Sequence, residues 1–217
     1  MNDCSHLSSL DRLIIGADRV LRTLAGTPLG SGRPDPAEKR GVRTTMLPEA
    51  VRERSGKLMR VNHAGEVSAQ ALYHGQSLVA RKPRIAAHLR KAGEEENDHL
   101  IWCKARLVAL ETPTSRLNPL WYAGSFAIGA LAGSLGDRVS LGFLEETEKQ
   151  VVEHLNNHLK RLPEEDEASR RVLQQMRTDE AHHGQGARAA GGKPLPRPVR
   201  LGMKAVSKIM TTTAYWI

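Results

Sequence analysis

Along most of the chain apolar residues return at steps of three and four, and strict alternation is rare, so the pattern predicts helices and few strands. In "SSLDRLIIGADRVLRTL", Leu10, Leu13, Ile14, Ala17, Val20, Leu21 and Leu24 share one stripe, behind a serine able to cap the helix. "AGTPLGSGRPDPAEKRG" then breaks the period, and its glycine, proline and serine read as a flexible linker over residues 26–45. The expected division is an amphipathic helix at 1–25, this linker, and a compact domain over 46–217.

Inside the compact domain the pattern gives two helical hairpins. One long helix starts after Pro48 and stops at "RKPR", where Pro83 cannot continue the hydrogen-bond ladder. A second runs from about Ile85 to Glu111, before "TPTSRLNP". A third occupies "DRVSLGFLEETEKQVVEHLNNHLKRL" up to Pro163, and a fourth runs from about Glu164 to Arg188, ending in "AAGGKPLPRP". The tail sets Leu201, Val206, Ile209 and Met210 against Lys204 and Lys208, an amphipathic helix suited to the bundle or to lipid. Between the hairpins no charged residue occurs from Leu117 to Gly136. That length admits a bilayer span, a buried helix or an interfacial helix, and Gly129 and Gly133 permit close helix approach in each case. The expected class is all-α: a four-helix bundle with additional N-terminal, crossover and C-terminal helices.

Chemistry enters with a repeated step. "GEEENDHLIWC" contains Glu96 and His99, and "RTDEAHHGQG" repeats the same spacing in Glu180 and His183. Antiparallel helices joined by a short turn bring residues equidistant from the turn to one height. Around Lys82, Glu66 lies sixteen residues before and Glu96 fourteen after; around Pro163, Glu148 lies fifteen before and Glu180 seventeen after. Each hairpin thus contributes one glutamate from its first helix and a Glu-x-x-His from its second. Four ionised carboxylates left alone in a core would cost several kcal/mol each, about the penalty for a buried ion after relaxation. Two divalent cations remove that cost, and Glu66, Glu96, His99, Glu148, Glu180 and His183 form the ligand set of a two-iron or two-manganese site in a ferritin-like bundle. Other acids on these helices, including Glu94, Glu95, Glu145, Glu146 and Glu153, read as surface decoys. His63, three residues before Glu66, suits a hydrogen bond to a ligand carboxylate, and His154 is a poorer angular match for the same task.

Composition narrows the setting. The 217 residues carry a formal charge of +8 and only 4% aromatics, which favours an anionic partner. The basic residues are dispersed and no nucleic-acid-binding motif accompanies them, so nucleic acid is excluded as the partner and a membrane surface is retained. Cys4 and Cys103 form no disulfide framework, and the first thirty residues lack the apolar core of a signal peptide. "GQGARAAGG" follows a helix rather than a strand, so it is no dinucleotide fingerprint.

The stretches "RVNHAGEVSAQALYHGQ", "EEENDHL", "EETEKQVVEHLNNHL", "RTDEAHHG" and "KIMTTTAYWI" resemble the demethoxyubiquinone hydroxylase family in its bacterial form. The likeness runs from about residue 55 onward, and the N-terminal helix and linker share it. It implies that the six residues above bind two irons and that His154 has a structural or proton-handling role near them. It implies O2 as co-substrate, NADH as an electron donor, and ring hydroxylation of a 2-polyprenyl-3-methyl-6-methoxy-1,4-benzoquinol late in ubiquinone synthesis. Such a quinol resides in the bilayer, so the enzyme is expected as a peripheral protein on the cytoplasmic face of the cell membrane, with a quinone-delivery partner or a homo-oligomer covering its apolar surface. Within the family resemblance Asp179 precedes Glu180 where Glu95 precedes Glu96, so the two halves differ in the residue before the ligand. Two rival readings remain: a ferritin-like iron-storage or peroxide-reducing protein with the same ligands, and a metal-free membrane-docking scaffold.

Overall fold

A computed structural model describes residues 8–26, 28–38 and 47–217. Seven α-helices occupy these residues: α1 Ser9–Leu24, α2 Glu49–Val79, α3 Pro83–Ala109, α4 Asn118–Ser134, α5 Asp137–Arg161, α6 Glu167–Ala189 and α7 Arg197–Trp216. No strand occurs among the described residues. The fold is the all-α, ferritin-like bundle that the periodicity predicts, with α2, α3, α5 and α6 as its four long helices.

Local chemistry sets the helix ends. Ser8 caps α1 by accepting from the Asp11 amide, and the Asp11 carboxylate accepts from the Ser8 amide at 2.9 Å, a reciprocal capping box. Pro83 falls in the first turn of α3, where its missing N–H costs nothing. The preceding turn is fixed from outside: the Asp137 carboxylate at the start of α5 accepts from the Arg81 and Lys82 amides at 2.9 and 3.1 Å. Asp166 caps α6 by accepting from the Ser169 amide at 3.1 Å, and it also accepts from Arg106 of α3 at 3.0 Å.

Two apolar clusters close the bundle. One gathers Leu58, Met59, Trp102, Leu107, Leu173 and Met176; the other gathers Tyr73, Ile85, Leu89, Leu141 and Leu144. Each fully buried leucine among them contributes about 1.5–3 kcal/mol relative to exposure. Polar ties cross between helices, as where Gln76 of α2 donates to the Ser140 carbonyl of α5 at 2.8 Å.

The crossover segment forms α4, which lies directly on α2. A Cβ on Gly129 would strike the backbone of Leu72, and one on Gly75 would strike the backbone of Phe126, so only glycine allows this approach. No described helix is long and apolar enough to cross a membrane, which sets the spanning alternative for 117–136 aside. One side of α4 is buried on the bundle through Tyr122 and Ala132, while Leu120 and Leu131 face outward. The tail helix α7 docks by its C-terminal end, where Arg60 of α2 donates to the Ala214 and Tyr215 carbonyls at 2.9 and 2.6 Å.

The linker expectation needs correction over residues 28–38. This stretch lies against α3 and α6 as a strap, with a 3-10 turn at Pro36–Glu38 and Pro36 buried. Composition alone hid the reason, which is long-range pairing: Ser31 and Arg33 find aspartates on the bundle, and Asn97 donates to the Leu29 carbonyl at 2.9 Å. Residues 27 and 39–46 of the expected linker lie outside the described residues.

Candidate metal centre

The two apolar clusters leave between them a buried polar level, one residue or pair from each long helix. Glu66 comes from α2, Glu96 and His99 from α3, Glu148 from α5, and Glu180 and His183 from α6, all buried. Ligand atoms of Glu66, Glu96, His99 and Glu180 lie within 4.8 Å of one another. His99 Nδ1 is 2.9 Å from Glu96 Oε2, 3.1 Å from Glu180 Oε1 and 3.7 Å from Glu66 Oε2. His183 Nδ1 is 3.0 Å from Glu96 Oε1 and 3.2 Å from Glu180 Oε2. Glu96 and Glu180 therefore each offer one oxygen to either imidazole, and Glu66 stands on the His99 side. Glu148 is not part of this tight group, and its Oε1 accepts from the Tyr73 hydroxyl.

Both imidazoles turn Nδ1 inward and Nε2 outward. His99 Nε2 lies 2.9 Å from Asp179 Oδ2, and His183 Nε2 lies 2.8 Å from Glu95 Oε2. The carboxylate just before each Glu-x-x-His thus serves the histidine of the opposite helix. Glu95 is accordingly no surface decoy, and the Glu95/Asp179 difference leaves the crossed arrangement intact. A carboxylate on Nε2 keeps the proton there and leaves the Nδ1 lone pair for a cation.

Electrostatics show how this level is strained without cations. Burial, reinforced by neighbouring carboxylates, raises the Glu66 and Glu148 carboxyls well above the ordinary range. Burial would also raise Glu96, but the charge and hydrogen bond of His99 and the nearby His183 imidazole hold it below that range. Burial disfavours charge on His183, yet its bonds to Glu180 and Glu96 push it up to about 12, and His99 is likewise raised. The cluster thus favours bound protons on Glu66, Glu148 and the two imidazoles. Glu66 Oε2 and Glu96 Oε1 are buried without a well-formed hydrogen bond, unmet acceptors aimed into the same space. Carboxylate and imidazole donors suit a divalent first-row metal, so the residues present fit such ions.

The remaining candidates are placed differently. His63 is buried and its Nδ1 lies 3.4 Å from Asn118 of α4, so its hydrogen-bond contact is with the crossover helix rather than with a ligand carboxylate. His154 Nε2 and His158 Nδ1 both approach Asn62 Oδ1, at 3.2 and 2.9 Å, with their rings 3.9 Å apart. Burial holds His63 and His154 neutral, with pKa values lowered to about 4. Tyr73 is not among the residues predicted from the sequence, although its seven-residue step from Glu66 places it on the same face of α2; Asn62 and Arg33 carry no such signal.

A cavity of about 560 Å³ leads from this level to the surface. Glu66, Glu148 and Glu180 stand at its inner end, while exposed Leu120, Ile128 and Val206 of α4 and α7 line its outer part.

Comparison with known proteins finds relatives along nearly the whole chain. The family described as ubiquinone biosynthesis protein COQ7 matches residues 53–214. The 3-demethoxyubiquinol 3-hydroxylase of Ralstonia pickettii (strain 12J) is 54% identical over 217 residues, covering 96% of this chain and 100% of the relative. Proteins of the same name from Nitrosococcus oceani and Polynucleobacter necessarius are 53% and 54% identical, covering 98% and 97% of this chain and 98% and 100% of the relatives.

Proposed function

The chain belongs to the family of ubiquinone biosynthesis protein COQ7, and from that premise we propose that its buried cluster holds two iron ions with which it hydroxylates the ring of a demethoxyubiquinol. It is a hydroxylase of ubiquinone biosynthesis; the metal, the co-substrates and the membrane setting are the proposed part. The observation that carries them is the apolar cavity ending on Glu66, Glu148 and Glu180.

Glu66, Glu96, His99, Glu148, Glu180 and His183 would hold the ions, with Asp179 and Glu95 fixing the two imidazoles. When bound, ferrous ions supply the O2 binding and redox chemistry that these side chains lack. One oxygen atom enters a ring C–H bond to give C–OH, and the other leaves as water with two electrons and two protons. The cavity positions the quinol ring against the carboxylates and excludes bulk water from them. Its apolar walls accept the polyprenyl tail, which extends toward α4 and α7. Tyr73 holds a proton at Glu148 Oε1 when no cation claims that carboxylate. NADH is the proposed electron donor. A cavity of about 430 Å³ beside the apolar one, lined by Arg161, Lys204, Lys208 and Tyr215 together with Glu153, offers the NADH diphosphate a place.

A quinol of this kind is reached from a membrane surface. Exposed Leu131, Leu201 and Ile209 on α4 and α7, with Lys204 and Lys208 beside them, fit docking at an anionic lipid face. The test is turnover of a short-tailed demethoxyubiquinol by iron-loaded protein under 18O2. One labelled oxygen in the product is expected; unlabelled product, or none with iron and reductant present, contradicts the assignment.

A further inference from the structure

The strap formed by residues 28–38 reaches the metal centre through one side chain. Arg33 Nε donates to Asp98 Oδ2 at 2.6 Å and its Nη1 donates to Asp179 Oδ2 at 2.8 Å. Asp179 Oδ2 is the same atom that faces His99 Nε2 at 2.9 Å. The guanidinium is held in turn: its carbon lies 5.0 Å from the centroid of Trp102, and its Nη2 reaches the Glu95 carbonyl at 3.4 Å.

The strap is seated by contacts of its own. The Ser31 amide and hydroxyl donate to the two oxygens of Asp98 at 2.7 and 2.5 Å, and just before the strap Lys104 donates to the Gly26 carbonyl at 2.6 Å. A Cβ on Gly30 would come within 2.7 Å of Asp98 Oδ1 and 2.9 Å of Ile101, so the strap needs glycine there to lie this close to α3. Asp98 is buried beneath it, its side chain 3% exposed.

The other half of the centre is supported differently. Glu95, which faces His183, is 37% exposed at its side chain, and apart from that histidine it pairs with the exposed Lys91 at 3.9 Å. Asp179, 12% exposed, has Arg33 and also Gln175, which donates to its Oδ1 at 2.9 Å. A planar guanidinium can bond two carboxylates at once in fixed directions, which an ammonium cannot.

We propose that Arg33 is a positioning residue for the metal centre: by clamping Asp179 between the docked strap and His99, it fixes the orientation of one ligand imidazole and so distinguishes the two metal positions. This inference rests on the two-metal reading and deepens it. The His99 position is preorganised by a segment outside the four-helix bundle, and the His183 position is supported from within it.

The experiment titrates metal-free, full-length protein with Co(II), whose visible absorption reports ligand geometry, in wild type, Arg33→Ala, Arg33→Lys and the surface control Arg22→Ala. Wild type should bind in two unequal steps. Arg33→Ala should weaken one step by about 10–100-fold, the usual cost of losing a residue that orients a ligand, and shift that step's absorption band. The other step should match the control even though losing the salt-bridge partner of buried Asp98 lowers the metal-free melting temperature, and Arg33→Lys should recover only part of the loss. Two unchanged steps in Arg33→Ala would overturn the proposal, as would equal weakening of both steps. If Arg33→Ala does not fold, Arg33→Lys decides alone, by one weakened step or by none. A wild type that binds no Co(II) would instead overturn the metal reading on which this one stands.

Discussion

At the residue scale, Tyr73 and Glu148 show what a cation would change. In the metal-free protein the Tyr73 hydroxyl is the hydrogen-bond partner of a buried carboxyl. Tyr73→Phe should cost the metal-free protein about 1–3 kcal/mol, the usual penalty for a buried polar group left unpaired. The iron-loaded protein should lose less, because the ion engages the carboxylate; paired thermal melts with and without iron check this. The raised carboxyls set a pH dependence as well. Glu66 and Glu148 stay protonated in the metal-free fold at pH values where the unfolded chain has released those protons. The folded state therefore binds more protons, and metal-free stability falls as pH rises above the ordinary glutamate range. His99 and His183, also raised, act in the same direction above the ordinary histidine value. Cations displace these protons, so metal affinity rises over the same window. Melting curves of chelated and iron-loaded protein from pH 5 to pH 8 should diverge steadily; a constant gap would contradict the proton count.

At the element scale, helix identity was readable and helix contact was only partly so. The prolines at 48, 83 and 163 mark ends within a few residues of the observed ones, since a proline breaks the interior of a helix but is tolerated at its first turn. The level of Glu66 with Glu96, and of Glu148 with Glu180, followed from counting residues to each turn. Counting could not reveal that Glu95 and Asp179 cross over to the opposite histidines, because that depends on how the hairpins face each other. Nor could it show His63 meeting Asn118, or residues 28–38 docking, since those partners are remote in sequence. The glycines of α4 did signal close approach, and the contact with α2 can be tested directly. Gly129→Ala forces a methyl against the Leu72 backbone and should cost about 1–3 kcal/mol, as overpacking does. A fall of several degrees in melting temperature is expected; no change would mean that α4 does not rest on α2 as described.

At the scale of the whole molecule, a buried polar level, an apolar cavity and an exposed apolar rim lie in one line. The net charge of +8 adds attraction toward anionic lipid, a term that salt screens. The protein should sediment with vesicles containing anionic lipid, less so at high salt, and Ile209→Asp should weaken this by more than about tenfold without altering iron content. Binding that ignores both lipid charge and Ile209 would contradict docking through α7. The chemistry in this picture depends on the cluster holding metal. The most direct test is the number of irons bound per chain after anaerobic loading, in wild type and in Glu148→Ala. Two irons in the wild type, with a clear loss in the variant, are predicted; no stoichiometric iron in the wild type under any loading condition would contradict the account.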